Sequence, residues 1–360
     1  MGTAGKNQRK LLTDIEKNAM LDSNVLNLNG GSIVDYANKK IYPHFTDVQH
    51  YMEQVKDFCD RKGFKPDAVM KLDGSEIFDV VASDTFGLDI QYSQFDRKKK
   101  LLIVGGVTTP RTIRKYFKSD DQSNEGGVND NVIVTSMFHR INITHDENII
   151  TPHFSGNNLY NDEHIVFPWQ IWSSMRDDIK NGLSAFSPNY YESAPDIVVN
   201  PGTPEEVTKC LVPWQNVELL CEEVYRYLKT TGKKPDAVFG PARGGHIYAQ
   251  AISDYLGIPW SANFWHNMIY VGHIFDTGKT AEKVDDFRKI ITVAMNYRGG
   301  KSAVMPDVSL GNDQRLMCNP HERYQNGFTA NVVRTHDNEQ FAKALADARR
   351  QRIEERERGK

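Results

Sequence analysis

Two short runs in the second half of this 360-residue chain carry residue types that can hold phosphate. Asp276, Thr277, Gly278, Lys279 and Thr280 follow the apolar stretch NMIYVGHIF and precede a helix-forming one. The first turn of a helix leaves backbone N–H groups without intrahelical partners, so a phosphate can accept several of them together with threonine hydroxyls. Gly278 lets the backbone come close. The plainer alternative is a capped helix start with Asp276 or Thr277 as N-cap. Upstream, Ala242, Arg243, Gly244 and Gly245 run into a helix beginning at His246. Two glycines permit the backbone to turn toward a ligand, and Arg243 can pair with anionic oxygens, a composition suited to diphosphate. A tight strand-to-helix connection with a solvent-facing arginine is the competing reading.

These runs need elements to position them. AVFG reads as a short buried strand, PARGG as a loop, and His246 to Leu256 as a helix closed by Gly257 before Pro259. NMIYVGHIF then reads as a second strand about 30 residues later, a normal crossover length. Open α/β sheets bind ligands at the carboxyl ends of their strands, and both loops fall there.

The same plan occurs earlier. DVQHYMEQVKDFCDRKGFKPDAV at 47–69 matches NVELLCEEVYRYLKTTGKKPDAV at 216–238, with Asp67 and Asp236 169 positions apart. That period is domain-sized, well beyond the roughly 20–50 residues of solenoid units, and implies duplication of a whole domain. Val48, Met52, Val55 and Cys59, and likewise Val217, Cys221, Val224 and Leu228, have the spacing of helices that bury one face. Gly63 and Gly232 suit the left-handed residue at a helix end. In the first copy KLDGSEIFDVVASDTFGL, KLLIVGGVTTPRTI, the strand VIVTSMF and HIVFPW follow in turn. The expected fold is α/β, two tandem domains that are each a mostly parallel sheet flanked by helices. Expected boundaries are an extension at 1–40, a first domain at 41–182, a Pro/Asn/Ser-rich linker with at most one short strand at 183–210, a second domain at 211–330 and a charged helical tail at 331–360.

Composition narrows the function classes. Forty-four basic and 47 acidic residues leave a formal charge of −3, so no global field drives binding to nucleic acid or anionic lipid. Arg349, Arg350 and Arg352 form a basic cluster in the tail that would have to carry any nucleic-acid contact. Cys59, Cys210, Cys221 and Cys318 stand singly, without zinc spacing or a disulfide framework, and read as reduced thiols of a cytoplasmic protein. The N-terminus lacks the apolar run of a signal peptide, no stretch approaches a membrane span, and no metal site is expected.

Together, KPDAVFGPARGG, LGIP and YVGHIFDTGKTAEKV resemble the type I phosphoribosyltransferases, especially the hypoxanthine, guanine and xanthine group. HIVFPWQ at 164–170 is similar to a terminal segment of archaeal and phage relatives. The resemblance is strong in the second copy and faint in the first. It implies that Thr277, Gly278, Lys279 and Thr280 hold a sugar 5-phosphate, that Ala242, Arg243, Gly244 and Gly245 hold diphosphate, and that Asp276 is the general base. A carboxylate can serve so when partial burial lifts its pKa. The implied partners are an activated pentose donor and a nucleobase or nucleic-acid acceptor, with homodimerisation open and no membrane contact.

The departures are as specific as the match. The family's acidic pair, which grips the ribose hydroxyls and helps place magnesium, is replaced by Gly272 and His273 here and by Gly105 and Gly106 in the first copy. A need for magnesium is therefore weakened, and a different pentose or leaving group fits better. His273 can donate to a sugar oxygen or simply pack. Trp260, Phe264 and Trp265 can stack on a base, or pack in the core. The first copy has Asp73 and Glu76 where the arginine loop belongs and Pro110 where the phosphate-binding glycine belongs, so it reads as a structural or acceptor-binding partner. The expectation is a pentosyltransferase of nucleotide metabolism, or one that modifies DNA sugars in the manner of phages. The alternative is a non-catalytic regulator that binds phosphoribosyl diphosphate or a nucleotide.

Overall fold

Where the sequence shows apolar residues at helical spacing, the chain forms helix, and each such helix covers one face of a parallel sheet. The computed structural model describes residues 33–35, 39–72, 75, 77–91, 99–117, 131–141, 151–159, 163–183, 191–192, 196–199, 202, 204, 207–241, 244–265, 267–275, 291–298, 305–311, 316–320, 334–335, 353–354 and 358. Contacts divide the chain into two units, one of residues 1–43 and 47–165, the other of 44–46 and 166–360.

The first unit runs through β1 (Ile33–Asp35), β2 (Lys40–Tyr42), α1 (Phe45–Lys62), β3 (Ala68–Lys71), α2 (Phe78–Phe86), β4 (Leu101–Thr108), α3 (Pro110–Phe117), β5 (Val132–Arg140), β6 (Phe154–Leu159) and β7 (His164–Ile165). β3, β4, β5 and β6 form one sheet in that order, every pair parallel. Val48, Met52, Val55 and Cys59 on α1 are all buried, as their spacing predicts. Burying such a side chain stabilises the fold by about 1.5–3 kcal/mol. Gly63, at φ 64, ends the helix, with the Phe64 amide donating back to the Cys59 carbonyl at 2.9 Å.

In the second unit follow α4 (Ile171–Lys180), β8 (Tyr191–Glu192), β9 (Asp196–Val199), β10 (Val207–Leu211), α5 (Trp214–Thr231), β11 (Ala237–Phe239), α6 (His246–Leu256), β12 (Met268–Phe275), β13 (Ile291–Tyr297), β14 (Val308–Gly311), β15 (Leu316–Cys318) and β16 (Arg334–Thr335). β11, β12, β13 and β14 again form an all-parallel sheet in chain order. The fold is α/β, with two parallel sheets flanked by helices. α1 and α5 are both 18 residues long. In each unit the strand before that helix is the centre of a small three-stranded sheet, β1-β2-β7 or β15-β10-β9.

The shared KPDAV segment has a local reason. Asp67 opens β3, accepting the Lys100 amide at 2.8 Å while its own amide donates to the Lys100 carbonyl at 2.7 Å. Asp236 does the same for β11, receiving the Asn267 side-chain amide at 2.9 Å and donating its own amide to the Asn267 carbonyl at 2.9 Å. Both aspartates therefore fix the first rung between a short strand and the long strand beside it.

Two expectations are corrected. Residues 183–210 are not a linker with at most one strand: they supply β8, β9 and most of β10, and β9 and β10 pair antiparallel. Residues 166–182, expected to close the first domain, pack in the second unit. There the Asp254 carboxylate of α6 accepts the amides of Trp172 at 2.9 Å and Ser173 at 3.1 Å, capping α4 from outside the helix. Trp172 meets Tyr255 edge-on at 4.3 Å, and Arg176 donates to the Asp254 carbonyl at 2.7 Å. Of the tail at 331–360, expected to be helical, Arg334–Thr335 form strand β16 beside β8, 353–354 and 358 are described as helix, and Arg349, Arg350 and Arg352 lie outside the described residues. All four cysteines are buried thiols, none of them in a disulfide. No helix among the described residues is long and apolar enough to cross a membrane.

Candidate functional site

β11 and β12 are parallel neighbours, with Phe239 opposite Tyr270. The chain leaving β11 turns at 240–245 into α6, and β12 runs on to Phe275. Both strands therefore end at the same edge of one sheet. A Cβ added at Gly245 would collide with the Val271 carbonyl of β12 and lie 2.7 Å from Pro241 Cδ. One at Gly240 would collide with the Gly245 backbone and lie 2.8 Å from Ala249 Cβ. Neither site admits a side chain. Gly245 has φ −85, which any residue can adopt, so close approach of the loop to β12 is what requires glycine here.

That geometry also assigns the loop's donors. The Gly245 amide donates to the Pro241 carbonyl at 3.2 Å, and the Gly245 carbonyl accepts the Ala249 amide at 2.9 Å. Gly244 and Gly245 are buried, and α6 starts with no side-chain cap on its first turn. Ala242 and Arg243 lie outside the described residues, as do Asp276, Thr277, Gly278, Lys279 and Thr280 and the helix expected after them. Gly272 is buried within β12 opposite Ala294, and His273 is the next residue of that strand.

The aromatic candidates divide. Trp260 forms a parallel bridge with Val238, and its ring lies 4.7 Å from that of His246. Phe264 packs against Phe239 at 5.6 Å and Tyr270 at 6.4 Å. Trp265 is 46% exposed. Burial pushes the Tyr270 hydroxyl up to about 12, so it stays protonated. Asn296, buried near the carboxyl end of β13 opposite Ile274, is a polar group of this edge that sequence reasoning did not single out. Gly311 makes room for it: a Cβ there would lie 3.2 Å from the Asn296 side-chain oxygen. A lone asparagine in an apolar strand gives no sequence signal for such a place.

The corresponding edge of the first unit is filled by its own side chains. Ser75 Oγ accepts the Gly106 amide at 3.0 Å, the Leu72 amide donates to the Val104 carbonyl at 2.9 Å, and a Cβ at Gly105 would collide with the tip of Leu72. At the start of α3, Thr109 Oγ1 accepts the Thr112 amide at 3.2 Å and Thr112 Oγ1 accepts the Thr109 amide at 2.9 Å, a reciprocal cap ahead of Pro110. Thr108 Oγ1 lies 3.0 Å from His139 Nδ1, and burial holds that imidazole below its usual range. Ile77, preceding α2, has φ 76, a conformation costing a β-branched residue about 1–3 kcal/mol. Asp73 and Glu76 lie outside the described residues. Among the described residues no group of three or more His, Cys, Asp or Glu is arranged to hold a metal ion.

No family model matches the chain, and no curated protein matches it in sequence. Among solved structures it is similar to a purine phosphoribosyltransferase from Pyrococcus horikoshii Ot3, at 23% identity over 31% of this chain and 93% of that one, with a TM-score of 0.27. It is also similar to the xanthine-guanine-hypoxanthine phosphoribosyltransferase of Helicobacter pylori, at 14% identity over 33% of this chain and 95% of that one, TM-score 0.28. A third similarity is to a Neisseria gonorrhoeae protein with bound ppGpp, at 17% identity over 40% of this chain and 94% of that one, TM-score 0.27.

Proposed function

We propose that the second unit is a pentosyltransferase that moves a pentosyl or phosphopentosyl unit from an activated donor to a nucleobase-type acceptor, free or within nucleic acid. What carries the reading is the seating of Gly245 on the Val271 carbonyl, because it brings the PARGG turn against the strand that leads into DTGKT. In this reading Thr277, Gly278, Lys279 and Thr280 hold the sugar phosphate, and Ala242, Arg243 and Gly244 hold the leaving diphosphate. Gly245 serves the turn itself, since its amide is already engaged. The bond from the sugar C1 to the leaving oxygen breaks, a bond from C1 to an acceptor nitrogen forms, and Asp276 takes the acceptor's proton. Positive charge builds at C1 as diphosphate departs, so stabilising the departing group supplies much of the rate. The two units descend, in this proposal, from one duplicated domain, and the first has kept only the scaffold.

Gly272 and His273 bear on the donor. Without the paired carboxylates, ribose hydroxyls lack their acceptors, a loss of roughly 1–3 kcal/mol for each unmet group. A donor with another pentose geometry or leaving group is favoured over phosphoribosyl diphosphate, and any magnesium ion would be held without the carboxylate pair. The test is to incubate the full chain with a panel of pentosyl diphosphates and nucleotide sugars, with nucleobases or DNA, and search for added pentosyl mass. Product formed by the wild type and absent with Asp276→Asn supports the reading. Binding of a donor without any transfer would instead favour a ligand-sensing regulator.

A further inference from the structure

The first rung between the third and fourth strands of each sheet is closed by a side chain, and the two units use chemically different ones. Thr135 pairs with Phe154 across β5 and β6, and Val293 with Val308 across β13 and β14. One residue earlier the fourth strand has not begun, so the amides of Val134 and Thr292 require another acceptor. Val134 donates to His153 Nδ1 at 3.0 Å, and the His153 amide returns to the Val134 carbonyl at 2.8 Å. Thr292 donates to Asp307 Oδ2 at 2.8 Å, and the Asp307 amide donates to Thr292 Oγ1 at 3.0 Å.

We propose that these equivalent clips give the two sheets different acid thresholds, so that the β5–β6 edge opens on mild acidification while the β13–β14 edge stays closed. An imidazole nitrogen accepts only while it carries no proton; the imidazolium would set N–H against N–H. Burial, opposed by the backbone hydrogen bond with Val134 and reinforced by the Lys62 ammonium on α1, holds His153 below its ordinary 6.5. The stability it contributes is complete above pH 6.5 and is lost as pH falls through the lower folded value.

Asp307 behaves differently. Burial would raise its carboxyl, but the Thr292 amide, the Tyr227 hydroxyl at 2.7 Å from α5, the Thr292 hydroxyl and the Lys233 ammonium at 3.8 Å together hold it below 3.8. Its contribution is complete above pH 3.8 and is lost only as pH falls below that. Lys62 acts on His153 from α1, and Tyr227 and Lys233 act on Asp307.

Hydrogen exchange followed by mass spectrometry on the full chain, corrected for intrinsic pH dependence, reads both edges at once. Between pH 7 and pH 5, protection of 132–140 and 154–159 should fall about tenfold while that of 291–297 and 308–311 changes less than about twofold. His153→Asn keeps a side-chain acceptor that does not titrate and should remove the fall. Parallel loss in both sheets, or a fall that survives His153→Asn, overturns the proposal. Should His153→Asn fail to fold, Asp307→His carries the test: it should impose the same fall on 291–297 and 308–311, and no change there overturns the proposal equally.

Discussion

At the carboxyl edge of β3–β6, Ser75 takes the Gly106 amide, Leu72 fills the space over Gly105, and two threonines cap α3. At the carboxyl edge of β11–β14, a glycine turn lies directly on β12 and α6 begins without a side-chain cap. Strand order and direction are the same in both sheets. Similar scaffolds thus begin their helices in different ways, one with a reciprocal threonine cap and the other with a glycine turn whose last amide returns to the Pro241 carbonyl. Function follows the contents of the edge rather than the fold that presents it.

The largest expected effect concerns activity. If only the second edge works, Asp276→Asn should lower transfer by about 10²–10⁴-fold, the usual contribution of a positioned base. Turnover unchanged in that variant would mean that chemistry resides elsewhere, and the contrast between the edges would fail.

Next in size is a pair of glycine replacements. Gly245→Ala forces a methyl against backbone on both sides and should destabilise the chain by about 3 kcal/mol, whereas Gly105→Ala meets the movable tip of Leu72 and should cost about 1 kcal/mol. Urea unfolding midpoints decide, and equal losses would show that the two turns are equally tight.

Asp254 gives a pH signature to the second unit. Burial, against the opposing pull of Ser173, Arg176 and the Trp172 and Ser173 amides, lifts its carboxyl to about 6. Since the folded value exceeds the ordinary 3.8, the stability this group adds is complete below pH 3.8 and lost as pH rises through 6. The second unit should gain on the order of 1–3 kcal/mol from it between pH 7 and pH 4, and Asp254→Asn should erase the gain in thermal melts. A melt whose pH dependence is unaltered by the substitution rules this out.

The smallest effect tests the self-satisfied edge. Thr109→Ala removes one half of the reciprocal cap and should cost about 1 kcal/mol. No loss would mean that the α3 start is not held by its own side chains.

Much of the scaffold could be read from the chain, for identifiable reasons. Val48, Met52, Val55 and Cys59 repeat at helical spacing because one face of α1 is buried, and burial writes itself into apolar periodicity. The strands AVFG, NMIYVGHIF and VIVTSMF are apolar runs because parallel strands are covered on both faces. β6, by contrast, is FSGNNL, whose glycine and asparagines carry no strand signal. β9 and β10 were hidden by the Pro- and Asn-rich composition of the stretch that holds them.

At the carboxyl edge of β11–β14 the order of the elements was legible, and their packing was not. Gly245 was read as part of a diphosphate loop, and its close approach to the Val271 carbonyl had no signal in the sequence. Trp260 and Phe264 were candidates for stacking on a base, and their rings meet protein side chains. Sequence reports residue type, whereas these outcomes depend on which strand lies alongside, a long-range fact set by the sheet. His153 and Asp307 illustrate the same limit, since two unlike residues serve one rung.

The four enclosed cysteines supply the molecule with internal reporters. Burial pushes the Cys59 thiol up to about 11, so a maleimide or iodoacetamide finds neither access nor thiolate while the helix is seated. Cys59 lies on α1, whereas Cys210, Cys221 and Cys318 lie on β10, α5 and β15. Alkylation at the first thiol ahead of the other three would thus time the loosening of one half against the other, without any added label.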